Sequence, residues 1–107
     1  MADEKIISLG QLSANGTGDW IALGGPDGIA TIATCQVTMG GAATAATVDV
    51  EYSLDKFGGV SLLTATLSAA APSDGTTGIS TKAVYARMKL SGLTGAGFVV
   101  GNLIAEV

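Results

Sequence analysis

The chain has 107 residues, of which 13% are charged, 5% aromatic and 48% hydrophobic, and its five cations against nine anions give a net charge of −4. That length fits one domain with a real core, and the negative balance excludes an electrostatic footprint for nucleic acid. No apolar run of about 18 residues is present, so no membrane span is expected, and the single cysteine, Cys35, excludes an internal disulfide.

Residues 1–4 read as a short polar arm. The opening MADEKIISLG is too acidic and its apolar run too short for a secretory signal, so folding in a cytoplasm is expected. Lys5 to Leu9 is a short strand candidate. Asn15-Gly16 is a turn signal, and Asp19 to Leu23 is a second strand carrying Trp20. The cluster Gly24-Gly25-Pro26-Asp27-Gly28 breaks the chain again. A third strand runs from Ile29 to Met39, with Ala33, Cys35, Val37 and Met39 on one face. Ile32 is out of phase with that face, which predicts a bulge or burial on both sides.

Ala42 to Ala46 favours helix by propensity, but Thr47 to Tyr52 alternates as a strand, with Val48, Val50 and Tyr52 opposing Thr47, Asp49 and Glu51. Ser53 to Gly59 is a turn. Val60 to Leu67 is a strand with Leu63, Ala65 and Leu67 on one face. Ser68 to Gly78 reads as the longest loop, and Ile79 to Lys82 as a short edge strand. Val84 to Leu90 alternates strictly. The glycines of Ser91 to Gly97 then predict a hairpin turn into the last strand, Phe98 to Glu106. Phe98, Val100 and Ile104 oppose Val99, Leu103 and Ala105, so this strand is central or gives one face to a partner.

Seven or eight short strands, glycine-rich turns and no convincing helix predict an all-β fold. The expectation is a single domain over residues 1–107, an antiparallel β-sandwich. Jelly-roll and immunoglobulin-like wiring share this strand count. With so few charges, Thr, Ser, Gly and Ala must form much of the exterior. Such a surface loses little on desolvation and suits packing against other protein, so a homo-oligomer is expected.

Little in the chain points to catalysis. There is no histidine, hence no imidazole beside a serine or cysteine nucleophile. Cys35 lies in an apolar strand pattern and reads as a small buried hydrophobe. Asp49 and Glu51 share a strand face, but beside Thr47 that face reads as solvated. Asp27, Asp55 and Asp74 lie in turns without the spacing of a calcium loop. Gly92, Gly95 and Gly97 lack the lysine and helix of a phosphate loop. Trp20, Phe57 and Tyr85 could stack on a carbohydrate if they formed a flat exposed patch; turn or core packing is the plainer reading. No enzyme activity and no cofactor are expected. Tyr85, Arg87 and Lys89 form an exposed stripe, and with Phe98 and Val100 they are the candidate protein contacts.

The succession T-V-D-V-E-Y-S-L-D (47–55), a threonine-rich strand (Thr64 to Leu67) and V-Y-A-R-M-K-L-S-G-L-T-G-A-G (84–97) resembles small β-sandwich structural proteins of tailed bacteriophages, above all head decoration (cement) proteins. The resemblance spans roughly residues 18–107. It departs from the family pattern after S-L-D, where Lys56-Phe57 stands in place of the common glycine or tryptophan. It implies a virion protein assembled in the host cytoplasm, placed on the capsid exterior and bound to the major capsid protein, often as a homotrimer. Tail, baseplate or fibre accessory domains are the related alternative, and a carbohydrate-binding attachment module the more distant one.

Overall fold

The computed structural model describes residues 4–24 and 28–106, and every regular element among them is a strand. The strands are β1 (Glu4–Leu12), β2 (Gly16–Thr17), β3 (Ile21–Ala22), β4 (Ala30–Gly41), β5 (Ala45–Ser53), β6 (Val60–Ser68), β7 (Ser73–Thr76), β8 (Thr81–Ala83), β9 (Tyr85–Thr94) and β10 (Gly97–Glu106). They form two antiparallel sheets. Sheet A runs β1-β10-β4-β7, with β8 also on β4; sheet B runs β2-β9-β5-β6, with β3 also on β9.

β7 and β8 lie end to end along β4, and β2 and β3 end to end along β9. Eight strand positions therefore suffice. The first pairs with the last, the second with the seventh, the third with the sixth and the fourth with the fifth. That nested pairing is a long antiparallel ribbon rolled into two sheets, the jelly-roll form of the sandwich. The last strand is central, between β1 and β4.

The core lies between the sheets. Cys35, Val37, Val99 and Leu103 of sheet A are fully or almost fully buried, as are Val48, Val50, Ala65 and Met88 of sheet B. Gly101 of β10 makes room for Met88 across the interior, because a Cβ there would stand 2.5 Å from the Met88 sulfur. The phase slip in β4 is a bulge. Ile104 pairs with Thr34 and Ala105 with Ile32, so Ala33 is the extra residue. Ala33 accordingly leaves the core face, while Ile32 is fully buried.

Several expectations are corrected. β9 and β10 do not form a hairpin, because they belong to different sheets. The turn between them is a corner, and it runs beside the corner between β4 and β5. Ala42 N–H donates to the Ala96 carbonyl at 2.7 Å, and Thr44 N–H to the Thr94 carbonyl at 2.8 Å. The two corners touch backbone to backbone. A Cβ at Gly97 would collide with the Gly40 carbonyl, and one at Gly95, whose φ is +86°, with the Ala42 carbonyl. These glycines serve close approach between corners rather than a two-residue turn.

The stretch 68–78 is not all loop. Ser73–Thr76 pairs with Thr38–Cys35 as β7, and the Pro72 carbonyl accepts the Met39 N–H at 2.7 Å. Backbone pairing to a long central strand recruits residues with poor strand propensity. The edge strand expected at 79–82 is Thr81–Ala83. The alanine run 42–46 gives no helix; Ala45 and Ala46 already belong to β5. Glu4 is not part of an arm, since it pairs with Glu106 ahead of Lys5 with Ala105. Residues 1–3, and Gly25, Pro26 and Asp27 of the breaker cluster, lie outside the described residues.

Candidate functional site

Tyr85, Arg87 and Lys89 project from β9 on the outer face of sheet B, because Ala86, Met88 and Leu90 take the inward positions. Each meets a cross-strand neighbour on β5: Lys89 stands opposite Asp49, Arg87 opposite Glu51, and Tyr85 opposite Ser53. Arg87 Nε donates to Glu51 Oε1 at 2.9 Å, with both side chains largely shielded from solvent. The Arg87 guanidinium also lies over the Trp20 ring, 4.1 Å from its centroid. Lys56 Nζ lies over the Tyr85 ring at 4.7 Å. The Thr64 hydroxyl donates to the Asp49 carboxylate. The stripe is thus an internally matched ladder of charges and rings, and only Lys89 is fully exposed. Arg87 already has partners, which lowers what it can offer a new one, whereas Lys89 stands opposite Asp49 without an ion pair to it.

The turn from β5 to β6 holds the S-L-D motif, and the structure shows what that motif does. Ser53 is buried, and its Oγ accepts the N–H groups of Asp55 and Lys56 at 3.2 and 3.0 Å. Asp55 Oδ1 accepts the N–H of Phe57 at 2.9 Å and, more weakly, that of Gly58. Those backbone donors hold the Asp55 carboxyl below the usual carboxylate range. Ser53 and Asp55 therefore knot the turn from within. Lys56 sits at φ +69°, the one described non-glycine residue with positive φ. The knot leaves Leu54 and Phe57 pointing outward, 65% and 95% exposed.

Phe98 and Val100 lie on the other outer face, that of sheet A. The structure does not bring them together with Tyr85, Arg87 and Lys89. Along this face Val100 stands between Gln11 of β1 and Thr38 of β4, Asn102 between Ser8 and Gln36, and Ile104 between Ile6 and Thr34. Phe98 covers Gly40; its ring atoms come within 2.6 Å of where a Gly40 Cβ would be. The Ser73 hydroxyl donates to the Thr38 hydroxyl at 3.1 Å. No charged side chain stands in these rows. The charged positions of this face, Glu4, Glu106 and Lys82, share one row at its end. Ile6 is 78% exposed and borders a shallow groove of about 150 Å³ with Ile104, Thr34 and Gln36. Ile6 escaped the sequence reading, although its alternation with Ile104 across a β1–β10 pair would have placed it here.

The remaining candidates serve the fold. Cys35 is fully buried, and burial pushes its thiol up to about 11, so it stays protonated and unreactive at neutral pH. Glu51 is paired with Arg87, and Asp49 accepts the Thr64 hydroxyl while standing opposite Lys89. Asp74 accepts the Gly75 N–H at 2.8 Å, and Asp55 is occupied by its own turn. Asp27 lies outside the described residues. Among the described residues no three Cys, Asp or Glu side chains gather as a metal site would require. Trp20 and Tyr85 are half-buried, each with a cation over its ring, while Phe57 stands free on the turn. Two of the three rings therefore already have a ring face taken by a cation.

Compared with known protein families and with curated proteins, the chain matches no family model and no protein.

Proposed function

We propose that the chain is a structural protein of a tailed-phage particle, a head decoration protein that docks on capsid protein through the outer face of sheet A. The observation that carries this reading is the composition of that face. Its middle rows hold Ile, Val, Phe, Thr, Ser, Asn and Gln and no charge, in a jelly roll whose charges are otherwise matched or confined to edges and turns. Hydroxyl and amide groups are cheaper to desolvate than ions and can bond to a partner backbone, and the exposed Ile6 supplies apolar area to bury. The phage resemblance of residues 47–55 and 84–97 supports the particle. Binding to the mature shell alone would stabilise that state by mass action, with no chemistry required.

The test is co-sedimentation with purified capsids, beside the copy number in virions. The expected result is a copy number comparable to that of the capsid protein, and retention that Val100→Glu weakens about thirtyfold or more, the cost of truncating or charging an interface centre. Arg87→Ala should leave retention unchanged. A few copies per particle would move the protein to the tail or fibre. Absence from virions, or undiminished binding by Val100→Glu, would overturn the reading.

A further inference from the structure

The four edges of the two sheets are unlike one another. β1 carries Glu4 and Lys5 and has a bulge at Leu9 leading into Gly10, whose φ is +90°. β2 with β3 is split into two-residue pieces. β7 with β8 is split as well, follows Pro72 and carries Asp74 and Lys82. Charges, bulges, proline and short length are the devices that keep a foreign strand off an edge. β6 has one bulge and none of the others. Val60–Ser68 is a nine-residue strand, VSLLTATLS, with no charge and no proline, hydrogen-bonded to β5 alone. The bulge at Leu62, where Glu51 pairs with Ser61 and Val50 with Leu63, limits it at one end. At the other, Ser68 N–H already donates to the Ala71 carbonyl. Between these limits Leu63–Leu67 is a regular run with no other backbone partner among the described residues.

We propose that Leu63–Leu67 pairs antiparallel with the same run of a second copy, giving a two-fold dimer whose B sheets are continuous. Full overlap of the run, which also keeps outward side chains opposite outward ones, sets Thr64 against Thr66 and Leu63 against Leu67, with Ala65 on the axis. Exposed hydroxyl then meets exposed hydroxyl, leucine meets leucine, and no charge faces a charge. A second copy is the occupant because the run is its own complement in this register, so two-fold symmetry makes each favourable pair twice. The inference does not rest on the capsid reading. It also differs from the threefold arrangement that the phage resemblance implies, so one mass measurement separates them.

Sedimentation of the full chain across a dilution series should show a dimer. Thr66→Lys places a cation on the edge, diagonal to Asp49, where the monomer tolerates it. This variant should sediment as a folded monomer whose thermal midpoint, unlike the parent's, does not change with protein concentration. Thr64→Cys and Thr66→Cys chains, mixed and oxidised, should join into a cross-linked dimer that neither forms alone; Cys35 is buried and does not compete. A monomeric or trimeric parent chain would overturn the proposal, as would a Thr66→Lys chain that still dimerises, or a mixture that fails to cross-link.

Discussion

The two outer faces of the sandwich solve the same problem in opposite ways. Sheet B covers itself with opposed charges and stacked rings: Glu51 holds Arg87, Arg87 covers Trp20, and Asp49 faces Lys89. Sheet A presents rows of threonine, amide and aliphatic side chains, with its charges confined to one end row. A face of matched charges is satisfied by itself and is costly to desolvate. A neutral face with an isoleucine in the open is less costly to desolvate and has area to bury. The difference shows that a Tyr and Arg spaced along a strand can be occupied within their own sheet when neighbouring segments bring an acid and a ring beside them.

Both faces are supported by one interior, and the sharpest way to break the comparison is to disturb what lies beneath both. Gly101→Val should do so. Its side chain would enter the space of Met88, which reaches across from sheet B. Overpacking of this kind costs about 3 kcal/mol, and urea denaturation should show both faces lost in a single transition. A loss below about 1 kcal/mol would mean that Met88 has another place to go.

A smaller effect should come from sheet A's side of the core. The Cys35 thiol titrates near 9.0 when unrestrained and at about 11 in the fold. Folding therefore disfavours the thiolate, and the unfolded chain loses its proton first. The contribution is fully present below pH 9 and is lost as pH rises towards 11, up to about 2–3 kcal/mol. The difference between the parent chain and Cys35→Ala across that range isolates it from lysine and tyrosine titration. If the difference does not change with pH, the thiol is not the group responsible.

Much of this molecule was legible in its sequence, because two-residue alternation is a local signal. The faces of Thr47 to Tyr52 and of Val84 to Leu90 follow it, and the phase slip at Ile32 announced the bulge at Ala33. What stayed hidden was non-local. The glycines of 91–97 mark a tight change of direction, but the same residues serve a hairpin and a corner between sheets, and only the partner corner at 40–44 distinguishes them. β7 was invisible because Ser-Asp-Gly-Thr becomes a strand by pairing with β4, not by its own preference. The candidate contacts split for the same reason. Tyr85, Arg87, Lys89, Phe98 and Val100 are close in sequence, yet the corner between β9 and β10 sends them to opposite faces. Their partners, Glu51 and Trp20 on one side and Gln11 and Thr38 on the other, come from distant segments.

The smallest expected effect is also the one that most directly tests whether the two faces differ in kind. Arg87→Ala and Glu51→Ala should each destabilise the fold, and the double mutant should reveal a coupling of about 0.5–1 kcal/mol, the scale of a partly shielded surface pair. The Arg87 change should cost more than the Glu51 change, because it also uncovers the Trp20 ring. In about 1 M salt, where the screening length is about 3 Å, the coupling should shrink. On sheet A the comparable pair, Ser73 and Thr38, joins neutral hydroxyls in the open; replacing both by alanine should shift stability by no more than about 0.5 kcal/mol, and salt should not alter that. Equal salt dependence on the two faces would mean that charge matching is not what distinguishes sheet B, and the neutral face would lose its claim to be the one left free for a partner.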